Sequence, residues 1–404
     1  MALSSFDLTT ALAAVRQAAD QLDGDKCSQA LAAMGKAIAR DQDDILEANT
    51  LDLEISRDMA VPDLVVDWLK LTPERVQTAA SIFQRLAAMG TDLPTKNGFG
   101  NASGCEQTRP LGIVGFIYEA FPDLGAIATA LCIRTGNAIV LKGSSEASRT
   151  NQAIASILQS TLKEVGLSAP LILPIEPTAV SRLDLAQCAD IDVIIAHGRP
   201  SLVAQTVQQA SIPVIPSRMG NCYLYWSASG DLDQVYQMIV ESHTGTPDAV
   251  NRIEKVLLHE SHSENAITRL WNQLQEKGFE VRADGAIARN YSLEAASSSD
   301  WNTAYLRRTV AFRQVADGAA AIQWINAHSS GHADSIVTAD YADSRQFTAG
   351  CRSASLYINA SPQFVRNPKQ PGEIALGMSN YKGTTGGLIG LDTLRSHQRI
   401  SHGC

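Results

Sequence analysis

Apolar positions along this chain change their spacing once, near residue 111. Before it they recur every three or four residues, the period of one helix face. Leu8 to Leu22, Cys27 to Arg40 and Glu74 to Met89 carry that pattern. In the third, Val76, Ala79, Ile82, Phe83, Leu86 and Ala87 form one stripe, and Pro73 stands just ahead, where a first-turn proline forfeits no hydrogen bond. Thr91 to Glu106, rich in Gly, Asn and Pro, predicts an exposed loop or ribbon.

From Leu111 onward, short unbroken apolar runs alternate with helical stretches. Gly112–Tyr118, Asn137–Lys142, Leu171–Pro174, Ile191–Ala196 and Ile212–Ile215 read as buried strands, with helices over Leu124–Arg134, Ser145–Val165, Val180–Cys188 and Leu202–Ala210. Strands apolar on both faces and separated by helices predict an α/β fold with a doubly wound parallel sheet. After Asn221–Trp226 the alternation resumes. Helices are expected over Leu232–Ser242 and Ser263–Lys277, and strands over Lys255–His259, Val310–Val315, Ser335–Thr338 and Ser355–Ile358. There is no internal repeat.

The 404 residues allow two or three domains. A balance of 33 basic against 42 acidic residues, spread along the chain, disfavours nucleic acid or an anionic membrane surface as partner. No run approaches the ~18 apolar residues of a membrane span. The start, Met-Ala-Leu-Ser-Ser-Phe-Asp, lacks a signal-peptide pattern. Seven scattered cysteines without a CxxC pair suit reduced thiols, so a cytoplasmic protein is expected. No metal cluster stands out: His259-Glu260 opens an HExxH pattern, but Ser263 stands where the second histidine belongs.

Candidate chemistry concentrates in His243–His259. A turn (Gly245, Thr246, Pro247, Asp248) leads into an apolar run, a setting in which enzymes deliver a nucleophile to the end of a buried strand. The residue delivered is Val250, which has no nucleophilic atom.

Several blocks, in order, resemble the gamma-glutamyl phosphate reductases (glutamate-5-semialdehyde dehydrogenases) of the aldehyde dehydrogenase superfamily. They include Leu46–Asp52, Leu69–Arg75, Arg109–Pro122, Thr135–Gly143, Ile191–Gly198, Ile212–Cys222 and Tyr357–Phe364. The resemblance implies NADPH-dependent reduction of an acyl phosphate, in which a loop cysteine attacks, phosphate leaves and hydride reduces the thioester. Such a step needs a thiolate as both nucleophile and leaving group. The family loop Lys-Thr-x-Arg-Pro-x-x-Cys-Asn-x-x-Glu aligns without a gap on His243–Glu254. Thr244, Pro247, Asn251 and Glu254 match, and Val250 takes the cysteine position. The loop's basic residues become His243 and Thr246; the family's Arg in Tyr-Glu-x-Arg-Pro becomes Phe121, and a late Arg falls on Gly386. A dianionic substrate calls for arginine at such places.

The resemblance gives Lys142 and Gly143 to the adenosine ribose or 2′-phosphate of NADP. It gives Gly198 to the phosphate-binding turn, where the family's Arg-Gly-Gly reads His197-Gly198-Arg199. The substrate pocket would hold Glu119, Phe121, His243, Thr246 and Ser361, with Asn251 and Asn359 as candidate residual polar groups. Glu119 can equally be a structural hydrogen-bonding residue, and His243 is either a weakened anion contact or a surface histidine. Asn251 and Asn359 either orient a ligand or hold loops. Cys222 is a replacement nucleophile or a buried structural thiol.

The implied architecture is aldehyde-dehydrogenase-like: a cofactor-type domain over 1–226 with part of 369–404, and a nucleophile-loop domain over 227–368. An oligomerisation arm would come from 91–108 and 385–404, giving a homodimer or higher oligomer. Three functional readings follow. The chain has lost the family reaction and serves as a binding, regulatory or assembly homologue for a nucleotide or small anionic metabolite. Or it is a working NADP-dependent reductase with another thiol, or an enzyme with a changed substrate and no covalent step.

Overall fold

The computed structural model describes residues 6–90, 96–97, 104–245, 247–248, 250–380 and 386–401. They fall into two compact units: Met1–Pro216 with Arg366–Leu376 and Leu388–Cys404, and Ser217–Val365 with Gly377–Gly387.

The first unit opens with five helices: Leu8–Ala19, Gly24–Arg40, Gln42–Asp58, Asp63–Leu69 and Pro73–Ala87. Short oxygen-bearing side chains start three of them. Asp7 accepts from the Thr9 and Thr10 amides, Asp23 from Lys26, and Thr72 from Arg75, with Pro73 following. Gln42–Asp58 escapes the periodic reading because its buried positions include Asn49, Asp52 and Ser56, while Leu51 and Ile55 are exposed. Two of these buried polar residues, Asn49 and Asp52, are matched. Asn49 donates to the Leu69 carbonyl and accepts from the Leu71 amide, and Asp52 accepts from the amide and hydroxyl of Thr150.

The seven-stranded sheet of this unit runs, in spatial order, Gly387–Gly390, Ala375–Ser379, Val214–Arg218, Val193–His197, Ile113–Tyr118, Ala138–Lys142, Ile172–Pro174. The last five are parallel, and Ala375–Ser379 pairs antiparallel with Val214–Arg218, so the doubly wound parallel arrangement expected from the sequence is present. Strand order reverses between Ile113–Tyr118 and Val193–His197. The carboxyl ends of those two strands therefore form the switch point where open α/β sheets take ligands.

The second unit holds an all-parallel sheet: Glu294–Ala295, Glu280–Ala283, Thr309–Val315, Ile253–His259, Cys222–Trp226, Ala333–Val337, Ser355–Ile358. Cys222–Trp226, which the sequence pattern put at the end of the first domain, is a central strand here. An unbroken apolar run fits either sheet, and only its pairing with Ile253–His259 and Ala333–Val337 decides. Its alternate residues serve two cores: Leu224 and Trp226 pack with Val256, Leu258 and Phe312, and Tyr223 and Tyr225 with Leu257, Ile336 and Phe347. Helices Gly318–His328 and Tyr341–Gly350 went unread, although Asp317 and Asp340 cap them.

A third sheet joins Lys96–Asn97, Gly104–Pro110 and Arg395–Ser401 in antiparallel register, linking the two segments assigned to an arm. Residues 91–95, 98–103 and 402–404 lie outside the described residues. Among the described residues, no helix is long and apolar enough to cross a membrane.

Candidate functional site

In the second unit, the loop after helix Leu232–Ser242 carries Val250 to the start of strand Ile253–His259. Val250 is only 1% exposed. Its main chain is gripped: the carbonyl accepts from His332 Nε2 and faces Cys222 Sγ at 3.9 Å. Because that carbonyl only accepts, Nε2 carries the proton, and the other ring nitrogen lies 3.0 Å from Ser330 Oγ. Burial pushes the His332 pKa down to about 4, so the ring is neutral near pH 7. Cys222 Sγ stands 3.3 Å from the same Nε2. Burial first, and the charges of Asp334 and Glu254 next, hold this thiol well above its ordinary range. Enclosed and protonated, Cys222 has the character of a structural thiol.

Glu254, fully buried, shapes the site from behind, accepting from the amides of Asn221, Tyr305 and Leu306. Lys255 Nζ lies 3.7 Å from Glu254 Oε2 and 3.7 Å from the Tyr305 ring centroid. Burial lowers its pKa to about 8. Asn251 donates to the Pro362 carbonyl at 2.9 Å and to the Tyr357 hydroxyl at 3.3 Å, while its Oδ1 is buried with no partner among the described residues. Ser361 Oγ accepts from the Gln363 amide, and Gln363 Nε2 donates to Thr244 Oγ1 at 2.8 Å, so residues 361–363 do border the loop. Thr246 lies outside the described residues.

Two expectations need correction here. His243 is not a surface histidine. It is 7% exposed, bonds the Ile253 carbonyl at 3.0 Å and meets Phe279 edge to face. Burial drives its pKa to about 3, so near neutral pH it cannot attract an anion by charge. Asn359 is not brought to the loop. It follows the carboxyl end of Ser355–Ile358, whereas Val250 precedes the amino end of Ile253–His259, so in a parallel sheet they stand at opposite ends. Its side chain clamps Thr338, accepting from the amide at 2.9 Å and donating to the carbonyl at 2.7 Å.

In the first unit, Lys142 ends its strand beside a cleft lined by Tyr118, Gly143, Ser144, Ser148, Asn151 and Pro177. Its Nζ donates to the carbonyls of Glu176 (3.1 Å) and Pro177 (2.7 Å). A side chain at Gly143 would collide with Asn151. The hydroxyl and amide groups of this cleft suit a ribose, while the Lys142 ammonium is buried behind it on the two carbonyls.

The switch point itself is filled from within. Glu119, 5% exposed, accepts from the Arg199 amide at 3.0 Å and from Arg199 Nη2 at 2.6 Å. Arg199 caps the helix Pro200–Gln209, so a carboxylate of the chain occupies the donor end that would take a phosphate. Gly198 is required at φ 150°, because a Cβ would come within 2.9 Å of Glu119 Cβ. A dinucleotide's ribose fits this unit; its diphosphate does not fit while the Glu119–Arg199 pair stands. Phe121 is not a pocket residue either. It is 1% exposed, stacked on Trp68 and set edge-on against His197.

His332, Ser330 and Arg218 were not singled out from the sequence. They carry no motif; strand pairing brings His332 and Ser330 to Cys222, and Arg218 stands across the turn that precedes it.

Residues 4–285 match the model of the aldehyde dehydrogenase family. The chain is 43% identical to gamma-glutamyl phosphate reductase 2 of Synechocystis sp. over 96% of its length and 94% of the relative's. It is 33% identical to gamma-glutamyl phosphate reductase of Gloeobacter violaceus, covering 93% and 91%. The crystal structure of gamma-glutamyl phosphate reductase from Thermotoga maritima superimposes with a TM-score of 0.88 at 25% identity, covering 98% of this chain and 99% of that one. By these measures the chain belongs to the aldehyde dehydrogenase superfamily and, within it, to the gamma-glutamyl phosphate reductase family.

Proposed function

We propose that this chain is a gamma-glutamyl phosphate reductase homologue that no longer carries out the family's acyl transfer and acts as a binding, regulatory or assembly homologue. The observation that carries this reading is Val250, at the loop position that the resemblance gives to the attacking thiol. The nearby thiol of Cys222 supports it by being enclosed and held protonated, and so a poor substitute. Positions that the resemblance gives to basic residues, 121, 197 and 243, are buried and hold Phe, His and His. A ligand of this homologue is a nucleotide or a small anionic metabolite. NADP would place its adenosine ribose at Lys142 and Gly143, and would have to displace the Glu119–Arg199 pair for its diphosphate. The sheet joining Gly104–Pro110 to Arg395–Ser401 serves as the arm of a homo-oligomer, which light scattering tests directly.

The names of the relatives favour a second reading, an active NADP-dependent reductase of L-glutamyl 5-phosphate. The test is oxidation of glutamate 5-semialdehyde with phosphate and NADP, before and after thiol alkylation. No turnover is expected; turnover that alkylation abolishes would refute the proposal.

A further inference from the structure

The chain turns from strand Val214–Arg218 into Cys222–Trp226 through two left-handed residues, Gly220 (φ 59°) and Asn221 (φ 54°). Left-handed backbone is strained for a residue with a side chain and persists where the surroundings over-determine it. Here they do. Glu254 accepts from the Asn221 amide, Asn221 Nδ2 donates to the His328 carbonyl at 2.9 Å, and Ser330 Oγ lies 3.0 Å from the Gly220 carbonyl. The turn thereby fixes the side chains on its two flanks. One is Cys222, against His332. The other is Arg218.

Arg218 Nε donates to Asn380 Oδ1 at 3.1 Å, and Asn380 Nδ2 donates to the Ser330 carbonyl at 2.7 Å, which orients the guanidinium. No carboxylate among the described residues pairs with it. Burial alone pulls its pKa down, whereas Arg252 and Arg395, also depressed by burial, each have a carboxylate that offsets it (Glu254 for Arg252, Asp392 for Arg395). Its charge also lowers the pKa of His332, which places it within electrostatic reach of the ring that holds Val250. A partly buried guanidinium without an anion can take one at lower desolvation cost, and its fork matches the two oxygens of a carboxylate or phosphate.

We propose that Arg218, oriented by Asn380, anchors an oxyanion site beside His332 that takes the carboxylate or phosphate of a small metabolite. This deepens the reading of a binding homologue and rests on it. With positions 121, 197 and 243 packed away, Arg218 is left as a cation for which no carboxylate among the described residues is a partner.

Calorimetric titration of the full chain without cofactor tests it, with inorganic phosphate and L-glutamate as separate probes at constant chloride. Saturable binding of at least one is expected, and which one distinguishes a phosphate from a carboxylate ligand. Arg218→Met should weaken it about tenfold or more, and Arg218→Lys, which keeps the charge but not the fork, should fall between. If Arg218→Met does not fold, Arg218→Lys decides alone. Absence of saturable binding by the unaltered chain, or unchanged affinity in both variants, overturns the site. Turnover of the semialdehyde would refute the loss of chemistry and leave this titration unaffected.

Discussion

Phe121 and His197 pack edge to face, with ring centroids 5.3 Å apart, and neither side chain reaches solvent. The sequence resemblance gives arginine to both positions, and here they form a dry aromatic contact. Phe121→Arg should therefore bury an unpaired charge against Trp68 and lower stability by about 3 kcal/mol or more in urea unfolding. It should not confer phosphate binding. An unchanged urea midpoint together with new phosphate binding would show that the contact is not what closes the site.

Glu119→Gln removes the carboxylate from the amino end of helix Pro200–Gln209 while keeping its shape. The Arg199 side chain is 45% exposed, so the stability loss should be about 1 kcal/mol or less. Affinity for inorganic pyrophosphate and for NADPH should rise about fivefold, read by calorimetry and by NADPH fluorescence. Weaker binding by the variant would mean that Glu119 assists the ligand.

His243 titrates near 3 in the folded chain because it is desolvated, against about 6.5 when unfolded. Between those values the unfolded chain holds the extra proton, so stability is fully present above pH 6.5 and is lost as pH falls toward 3. His332, depressed to about 4, acts in the same direction, and Asp334, raised by burial to about 7, opposes it. His243→Asn should flatten the decline of the urea midpoint between pH 6.5 and 4.5 by about one proton's worth. A variant with the wild-type slope would place the acid sensitivity elsewhere.

Val250→Cys changes the side chain and leaves the main-chain grip of His332 untouched. It should fold with a stability change of about 1 kcal/mol, the scale of losing one buried methyl group. It should remain inactive toward glutamate 5-semialdehyde, because the thiol alone restores no anion contact. Recovered activity would show that the remaining site is competent.

Strands such as Ile113–Tyr118 and Ala138–Lys142 could be read to within two residues, since a strand buried on both faces announces itself without reference to its neighbours. Helix Gln42–Asp58 could not, because its inward positions include Asn49 and Asp52, whose hydrogen bonds go to residues distant in sequence. Tyr341–Gly350 buries only Phe347 and leaves no stripe to count. Within the site, the loop scaffold from Thr244 to Glu254 was legible as local spacing. The partners of Cys222 and Val250 were not. His332 lies 110 residues from one and 82 from the other, and only the parallel register of the second sheet brings them together.

The grip on the Val250 carbonyl has an evolutionary reading. His332 recognises an atom that every amino acid possesses, so the loop keeps its path whichever residue occupies position 250. Shape and reactivity are thereby inherited separately. A lineage can shed its nucleophile at this position without disturbing the scaffold, and the scaffold then persists as raw material for recognition.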